Sequence, residues 1–483
     1  MSLLVVDVGT SGVRAAVVRP DATMAHVHYR EVRTTTPAQG FVEVDAAELA
    51  AATLEVAREA LSRGGPVTAV GIACQRATTV LWDRATGEPV GPGVGWQDLR
   101  TVIMCLSLAE QGLRLAPNQS ATKLAFLLDL ADPERRRSSR GELCFGTVDS
   151  WTAWVLSAGS VHVTDATNAG VTGLVTSDGS AWDATVLEAL RVPPSVLPVI
   201  VDSSGLVGEA RALPGSPPIA GLAGDQQASL IGQGCTRPGL AKATFGTGGM
   251  LDVCIGPVRP VFERRGPAGT FPIIAWQRDG IRTWGVEAVM LSAGSCVGWL
   301  RDLGVIASVE ESDALAASCP DPGGVVFVPA FAGLGTPVWD YGARGLLLGL
   351  TRGTGRAEVT RAVLEGIAAR GADLLEAAEA DCNQTVPSLR IDGGMAANAT
   401  FVQSLADAVG RPVEVAPVRE ATTLGAAFLA GLATGLWRDE AELAGTWAPS
   451  RVVEPRRRTD RDRWREARDR ARATVPELSA LDF

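Results

Sequence analysis

Leu3-Leu-Val-Val6-Asp7-Val-Gly9-Thr10-Ser11-Gly12-Val13-Arg14-Ala-Ala-Val-Val18 opens the chain, and its reading decides the fold. Leu3 to Val6 reads as one strand and Val13 to Val18 as a second. Gly9 to Gly12 is the polar, glycine-rich tip of the hairpin between them. More than two hundred residues later the pattern restarts. Lys242 to Phe245 reads as a strand, Gly246-Thr247-Gly248-Gly249 as a tip, and Met250 to Cys254 as the return strand. Two such hairpins in one chain point to duplicated halves.

Strands and helices alternate around these hairpins, which favours an α/β architecture. Helical spacing covers Ala46 to Leu61, and Val67 to Ala73 is a buried-strand run. A long helix is expected from Ala357 to Ala380, with Val359, Val363, Ile367 and Leu374 on one face. Leu389 to Ile391, the turn Asp392-Gly393-Gly394, and a helix to about Val409 follow. The expected division is an N-terminal domain over residues 1–236, a C-terminal domain over 237–445, and a charged helical tail over 446–483. Arg456 to Arg472 mixes Arg with Asp and Glu at helical spacing and reads as a solvated helix with i,i+4 ion pairs.

Composition removes several function classes. The net charge of −10 argues against nucleic acid or an anionic membrane as partner. Of 44 basic residues only two are lysines, Lys123 and Lys242. Neither stands in a GxxxxGK[ST] frame, so a P-loop NTPase is excluded. The three histidines form no HExxH zinc motif. The eight cysteines are scattered with no CxxC, as expected for buried thiols in a reducing compartment. The longest mostly apolar stretch, Leu424 to Trp437, is shorter than the roughly 18 residues a membrane span needs. It reads as a packed internal helix, and the expected location is the cytoplasm.

Chemistry concentrates at three tips that each follow a strand: Asp7 to Gly12, Gly246 to Gly249, and Asp392 to Gly394. Glycine lets backbone amides approach an anion closely. Thr10, Ser11 and Thr247 add hydroxyl donors. One such tip alone is more often a plain turn. Three in this order, two on hairpins and one opening a helix, point to phosphate binding. An acidic side chain beside phosphate is unfavourable unless a cation lies between, so Asp7 implies Mg²⁺.

This arrangement resembles the sugar kinase, actin and heat-shock ATPase superfamily and, more narrowly, the FGGY carbohydrate kinases. Gly345-Leu-Leu-Leu-Gly349-Leu350, with Glu358 to Glu365 after a seven-residue gap, resembles that family's C-terminal signature. The likeness continues in CQRATTVLWDRATGEPV (74–90), GWQDLRT (95–101), GTVDSWTAWVL (146–156), VHVTDATNAG (161–170), GDQQASLIGQG (224–234), GLGTPVWD (333–340), DGGMAANATFVQ (392–403) and VREATTLGAAFLAG (418–431). It runs from residue 3 to about 445 and is strongest to the glycerol-phosphorylating members.

The resemblance implies two duplicated actin-like, ribonuclease-H-like ATPase domains around a cleft, ATP with Mg²⁺, and transfer of a phosphoryl group to a small polyol or sugar. It implies Asp225 as the catalytic base; on spacing alone Asp225 reads as a turn-capping residue after Gly224. Arg76, Ala77, Trp96, Asn118, Asp225, Gln226 and Met250 fall at the acceptor site. Thr10, Ser11, Arg14, Gly246, Thr247, Gly294, Gly298, Gly394 and Asn398 fall at the nucleotide site. Asp7 and Asp225 face the metal. No lysine enters this scheme. A homodimer or tetramer follows from the resemblance alone.

The acceptor site departs from the family pattern. Ala77 stands where the family's glycerol-phosphorylating members carry Glu, Asn118 where they carry Tyr, and Met250 where they carry an aromatic residue. Gly298 replaces a usual Gln at the nucleotide. Glycerol or a close polyol is one reading of the acceptor, and a longer polyol or a ketose is the other. A non-catalytic nucleotide sensor on the same scaffold is the alternative from another class.

Overall fold

A computed structural model describes residues 2–418 and 420–483. Met1 and Arg419, the latter in the VREATT stretch, lie outside the described residues. The opening hairpin forms β1 (Leu3–Val8) and β2 (Gly12–Val18), followed by β3 (Met24–Glu31). Helix α1 (Ala46–Gly64) leads to β4 (Ala69–Cys74), and β5 (Pro218–Gly224) completes the unit. β3, β2 and β1 pair antiparallel; β4 and β5 then join β1 in parallel. Helix α2 (Asp225–Gly232) leaves directly from β5.

The same order recurs in the second half. It uses β6 (Ala241–Phe245), β7 (Gly249–Gly256), β8 (Ile281–Met290), β9 (Leu389–Asp392) and β10 (Val413–Val415). β8, β7 and β6 are antiparallel, and β9 and β10 continue in parallel from β6. The duplication expected from the hairpins is therefore present strand for strand. Both units belong to one 13-stranded sheet. They meet where the strand Ser204–Glu209 touches the strand Phe271–Arg278 through Ser204 and Arg278.

Period-2 patterning explains the layers. From β1, Leu4, Val6 and Val8 pack with Leu49, Val56 and Ala60 of α1, while Leu3 and Val5 face the opposite core. In the second half, α3 (Gly294–Asp302), α4 (Arg356–Cys382) and α5 (Ala399–Val409) cover one sheet face. Helix α6 (Ala421–Thr434), although late in sequence, returns to the first half and supplies Leu424 and Phe428 to the core beneath β1. It packs on α2 so closely that a Cβ at Gly425 would stand 1.7 Å from the Ala228 carbonyl oxygen, so only glycine fits there. This contact fixes the start of α2, where Asp225 sits.

The tail differs from the expected solvated helix. α7 (Arg461–Arg470) buries Trp464 and Ala467 against the second half. Trp464 Nε1 donates to Asp373 at 3.1 Å, and Arg461 Nη2 approaches the same carboxylate at 2.6 Å. Arg370 and Arg468 also face Asp373, at 2.9 and 3.5 Å. A buried carboxylate on α4 organises the basic face of the tail; of the expected i,i+4 pairs, Arg470–Glu466 is present on the exposed side. Farther on, Asp482 pairs with Arg114 and with Arg265, one from each half of the chain.

All eight cysteines are unpaired and seven are buried, in keeping with the thiol expectation. Among the described residues no helix is long and apolar enough to cross a membrane.

Candidate active site

The site is built where β1, β5 and β6 end. Asp7 lies near the end of β1 and is register partner to Arg14 across the hairpin. Arg14 Nη1 stands 3.8 Å from Asp7 Oδ2, and Thr423 Oγ1 donates to that oxygen at 3.3 Å. Burial pushes the Asp7 carboxyl up to about 6; Arg14 opposes this, and the charge of Asp225 adds to it. Asp7 and Asp225 are thus electrostatic neighbours.

The first tip is tied to Trp96 and Gln75 by a chain of hydrogen bonds. Trp96 Nε1 donates to Thr10 Oγ1 at 3.2 Å, and Thr10 donates to Gln75 Oε1 at 3.3 Å. Gln75 Nε2 returns to the Gly9 carbonyl, and Thr78 Oγ1 donates to Gln75 Oε1. The Ser11 carbonyl accepts from Tyr29 at 2.8 Å.

The second tip abuts the start of α3. Ala293 N donates to the Thr247 carbonyl and Gly294 N to the Gly246 carbonyl, both at 2.8 Å. A Cβ on Gly294 would lie 2.6 Å from the Gly246 oxygen, so close packing of α3 on the second tip requires glycine there. Gly298, one turn on, has open space where a Cβ would stand. At the third tip Gly394 is exposed with open space above it. Asn398 caps α5 by accepting from Phe401 N and donates to Ser312 Oγ at 3.0 Å. Both ends of its amide are therefore engaged by the protein.

Asp225 is the first residue of α2 and keeps about a third of its side chain open. The protein packed around it nevertheless raises its carboxyl above the ordinary range; Arg76, at 3.6 Å, opposes that shift. Arg76 is held at several points. Its Nη2 lies 2.7 Å from Glu287 Oε2 and 3.7 Å from Met250 Sδ, and Nη1 donates to Gln227 Oε1 at 3.4 Å. The Glu287 contact is an ion pair by distance, without the alignment of a hydrogen bond. Burial pushes Glu287 up to about 7 against the pull of Arg76.

Ala77 is buried with φ 59°, a left-handed backbone that an alanine adopts at a cost of about 1 kcal/mol. Its carbonyl accepts from Ser120 Oγ at 3.1 Å. Asn118 stands two residues earlier with its side chain exposed, and its carbonyl accepts from Lys123 Nζ at 3.2 Å. Burial lowers the Lys123 amine to about 7.

Sequence reasoning missed Glu287, Asp252 and the site role of Lys242. In β6, Ala241, Ala243 and Phe245 enter the core, leaving Lys242 and Thr244 on the other face. In β7 and β8 the same face carries Met250, Asp252 and Glu287. Lys242 Nζ stands 2.6 Å from Gln226 Oε1 and 2.8 Å from Asp252. The signal was available: Lys242 and Thr244 alternate with alanines in one strand, and Asp252 and Glu287 each stand as a lone charge in an apolar run.

The arrangement pairs a carboxylate of raised proton affinity with an anchored guanidinium, beside three backbone turns suited to phosphate. Residues 2–232 match the N-terminal domain of the FGGY family of carbohydrate kinases, and residues 241–434 match its C-terminal domain. The chain is 46% identical over 471 residues to a glycerol kinase of Trichlorobacter lovleyi, covering 94% of each. It is 44% identical to a glycerol kinase of Aromatoleum aromaticum, over 98% of this chain and 99% of that one. Among solved structures, Plasmodium falciparum glycerol kinase with ADP aligns with TM-score 0.90 and 26% identity, over 100% of this chain and 99% of that one. A xyloylose kinase from Brucella ovis shares the fold at TM-score 0.85 and 24% identity, over the whole of both chains.

Proposed function

The chain belongs to the FGGY family of carbohydrate kinases, and from that premise we propose that Asp225 acts as general base while the γ-phosphate of ATP passes to a hydroxyl of glycerol or a close polyol. It is an ATP-dependent carbohydrate or polyol kinase of the glycerol-kinase type. The observation that carries the assignment of Asp225 is its placement: a part-open carboxylate at the head of α2, 3.6 Å from Arg76, with its proton affinity raised by burial. Such a group can take the hydroxyl proton as that oxygen attacks phosphorus. Arg76 donates to the acceptor's oxygens, and Trp96 walls the carbon chain.

The backbone turns at Gly9 to Gly12 and Gly246 to Gly249 cradle the phosphates, with Thr10, Ser11, Arg14 and Thr247 as donors. Gly294 and Gly394 border the nucleotide. Asn398 shapes that wall through its cap. Asp7 and Asp225 fit Mg²⁺, which is held through one or two carboxylates and keeps its waters. Burial makes the Asp7 charge costly, and a cation relieves that cost. When bound, the ion would neutralise charge on the transferring phosphoryl group.

The division at about residue 236, with a separate tail from 446, and a cytoplasmic location are part of the same reading. So is a small-molecule partner, with a homodimer or tetramer open to sedimentation measurement. A longer polyol or ketose is the second reading of the acceptor. It is favoured by Ala77, Asn118 and Met250, which leave the site with less bulk than Glu, Tyr and an aromatic residue would. ADP release over glycerol, erythritol, ribitol and xylulose separates the two. Highest kcat/KM on glycerol supports the first reading; highest on a longer acceptor supports the second. No turnover with any of them sinks both.

A further inference from the structure

Lys242 is one of two lysines in the chain, is fully buried, and lies beneath the acceptor side of the cleft. Its position follows from β6: Ala241, Ala243 and Phe245 fill one face, so the lysine points at α2 on the other. Nζ donates to Gln226 Oε1 at 2.6 Å and to Thr244 Oγ1 at 3.1 Å. Asp252, its register partner on β7, lies 2.8 Å away and balances its charge. The Asp252 carboxylate accepts no aligned hydrogen bond among the described residues, so the ion pair alone keeps it company. A lysine amine has three N–H groups, and three oxygens surround this one.

We propose that Lys242 is a positioning residue that sets the polarity of the acceptor site by committing the Gln226 amide. An ammonium can only donate, so the end of Gln226 that it holds is the carbonyl oxygen. What remains for the acceptor is the Nε2 amide, which has no protein partner among the described residues on a side chain still part-open to solvent. Asp225, the preceding residue, offers only acceptors when ionised. Its Oδ1 already accepts from Gln226 N at 2.8 Å. The two neighbouring side chains therefore read a pair of oxygens in opposite senses. One hydroxyl gives its proton to Asp225, and the oxygen beside it accepts from Gln226. The chemical class so recognised is a vicinal diol, or a hydroxyl next to a carbonyl.

This inference rests on the proposed acceptor site, and the experiment keeps the two apart. Steady-state kinetics with saturating ATP and varied glycerol are compared for the wild type, Gln226→Ala, Gln226→Glu, the neutral pair exchange Lys242→Met with Asp252→Asn, and the triple variant Gln226→Ala, Lys242→Met, Asp252→Asn. Loss of one hydrogen bond should raise KM for glycerol about tenfold in Gln226→Ala, with kcat and KM for ATP little changed. Gln226→Glu should lose as much, because Lys242 keeps one oxygen and the other cannot donate. The pair exchange should raise KM comparably, and the triple variant should be no worse than Gln226→Ala. Should the exchange leave KM for glycerol unchanged, or multiply in full with Gln226→Ala, Lys242 does not act through Gln226. Retained KM in Gln226→Glu beside a raised KM in Gln226→Ala overturns the donor assignment alone. An unchanged KM in Gln226→Ala overturns both this inference and the place of Gln226 in the acceptor site. Gln226→Glu leaves the buried pair intact, so the donor assignment is decided even where the exchange fails to fold.

Discussion

Arg76 Nη2 and Glu287 Oε2 stand 2.7 Å apart, joining the loop after β4 in the first half to β8 in the second. The pair lies beside Asp225, and burial raises the proton affinity of its carboxyl. Burial pushes the Glu287 carboxyl up to about 7 from an ordinary 4.5, and Asp7 up to about 6 from 3.8. Both raised values mean that the folded chain binds more protons than the unfolded one. Stability contributed below those unfolded values is lost as pH rises, for Asp7 between 3.8 and about 6 and for Glu287 between 4.5 and about 7. The ligand-free protein should therefore melt lower at about pH 8 than at about pH 5, with Glu287 accounting for on the order of 2 kcal/mol. Thermal melts of Glu287→Gln should show a flatter slope across that window. A slope unchanged by the substitution would show that Glu287 titrates normally.

Asp373 carries the docking of the tail. Its side chain is buried, and it faces Arg370, Arg461, Arg468 and the Trp464 indole. Asp373→Ala leaves the Arg370 guanidinium buried without its partner and should cost about 3–5 kcal/mol in urea unfolding. Glu466→Ala removes the exposed pair with Arg470 and should cost less than about 0.5 kcal/mol. Equal costs would mean that the tail is held by its surface charges.

The hairpins and the family signature made the duplicated α/β halves legible in the sequence, because alternation and glycine tips are local signals. Asp7 and Thr10 were singled out by the glycine tip they belong to, whereas Arg14, Arg76 and Asp225 were singled out only by the resemblance, since on spacing alone Asp225 reads as a turn-capping residue. Glu287, Asp252 and Lys242 were not. Their strands read as core, and only the pairing of β6, β7 and β8 reveals that their polar members share one face under α2. The tail was misread because its charge pattern is that of a solvated helix. The deciding partner, Asp373, lies 88 residues away in sequence from Arg461.

Ala77 has a left-handed backbone at φ 59° in a buried position. Glycine relieves about 1 kcal/mol of Cβ conflict but loosens the unfolded chain by about 0.4–1 kcal/mol, so Ala77→Gly should leave the fold as stable as the wild type or slightly more so. Calorimetry giving a loss instead would show that the Ala77 methyl contributes more by packing than its backbone costs.

Asn118, part of the proposed acceptor site, has its side chain exposed. Asn118→Tyr adds an apolar wall with a hydroxyl at its end. KM for glycerol should fall by about three- to tenfold, while turnover of longer polyols should drop. A uniform change across acceptors would place residue 118 outside the site.

The central claim is that Asp225 takes the proton of the acceptor hydroxyl. Glycerol-dependent ADP release by the wild type and by Asp225→Asn, each at saturating Mg·ATP, tests it most directly. The variant should fold with an unchanged or higher melting temperature, since burial disfavours the Asp225 charge. It should bind ATP normally and lose about 10²–10⁴ in kcat. A folded Asp225→Asn protein that phosphorylates glycerol at near the wild-type rate would contradict the account.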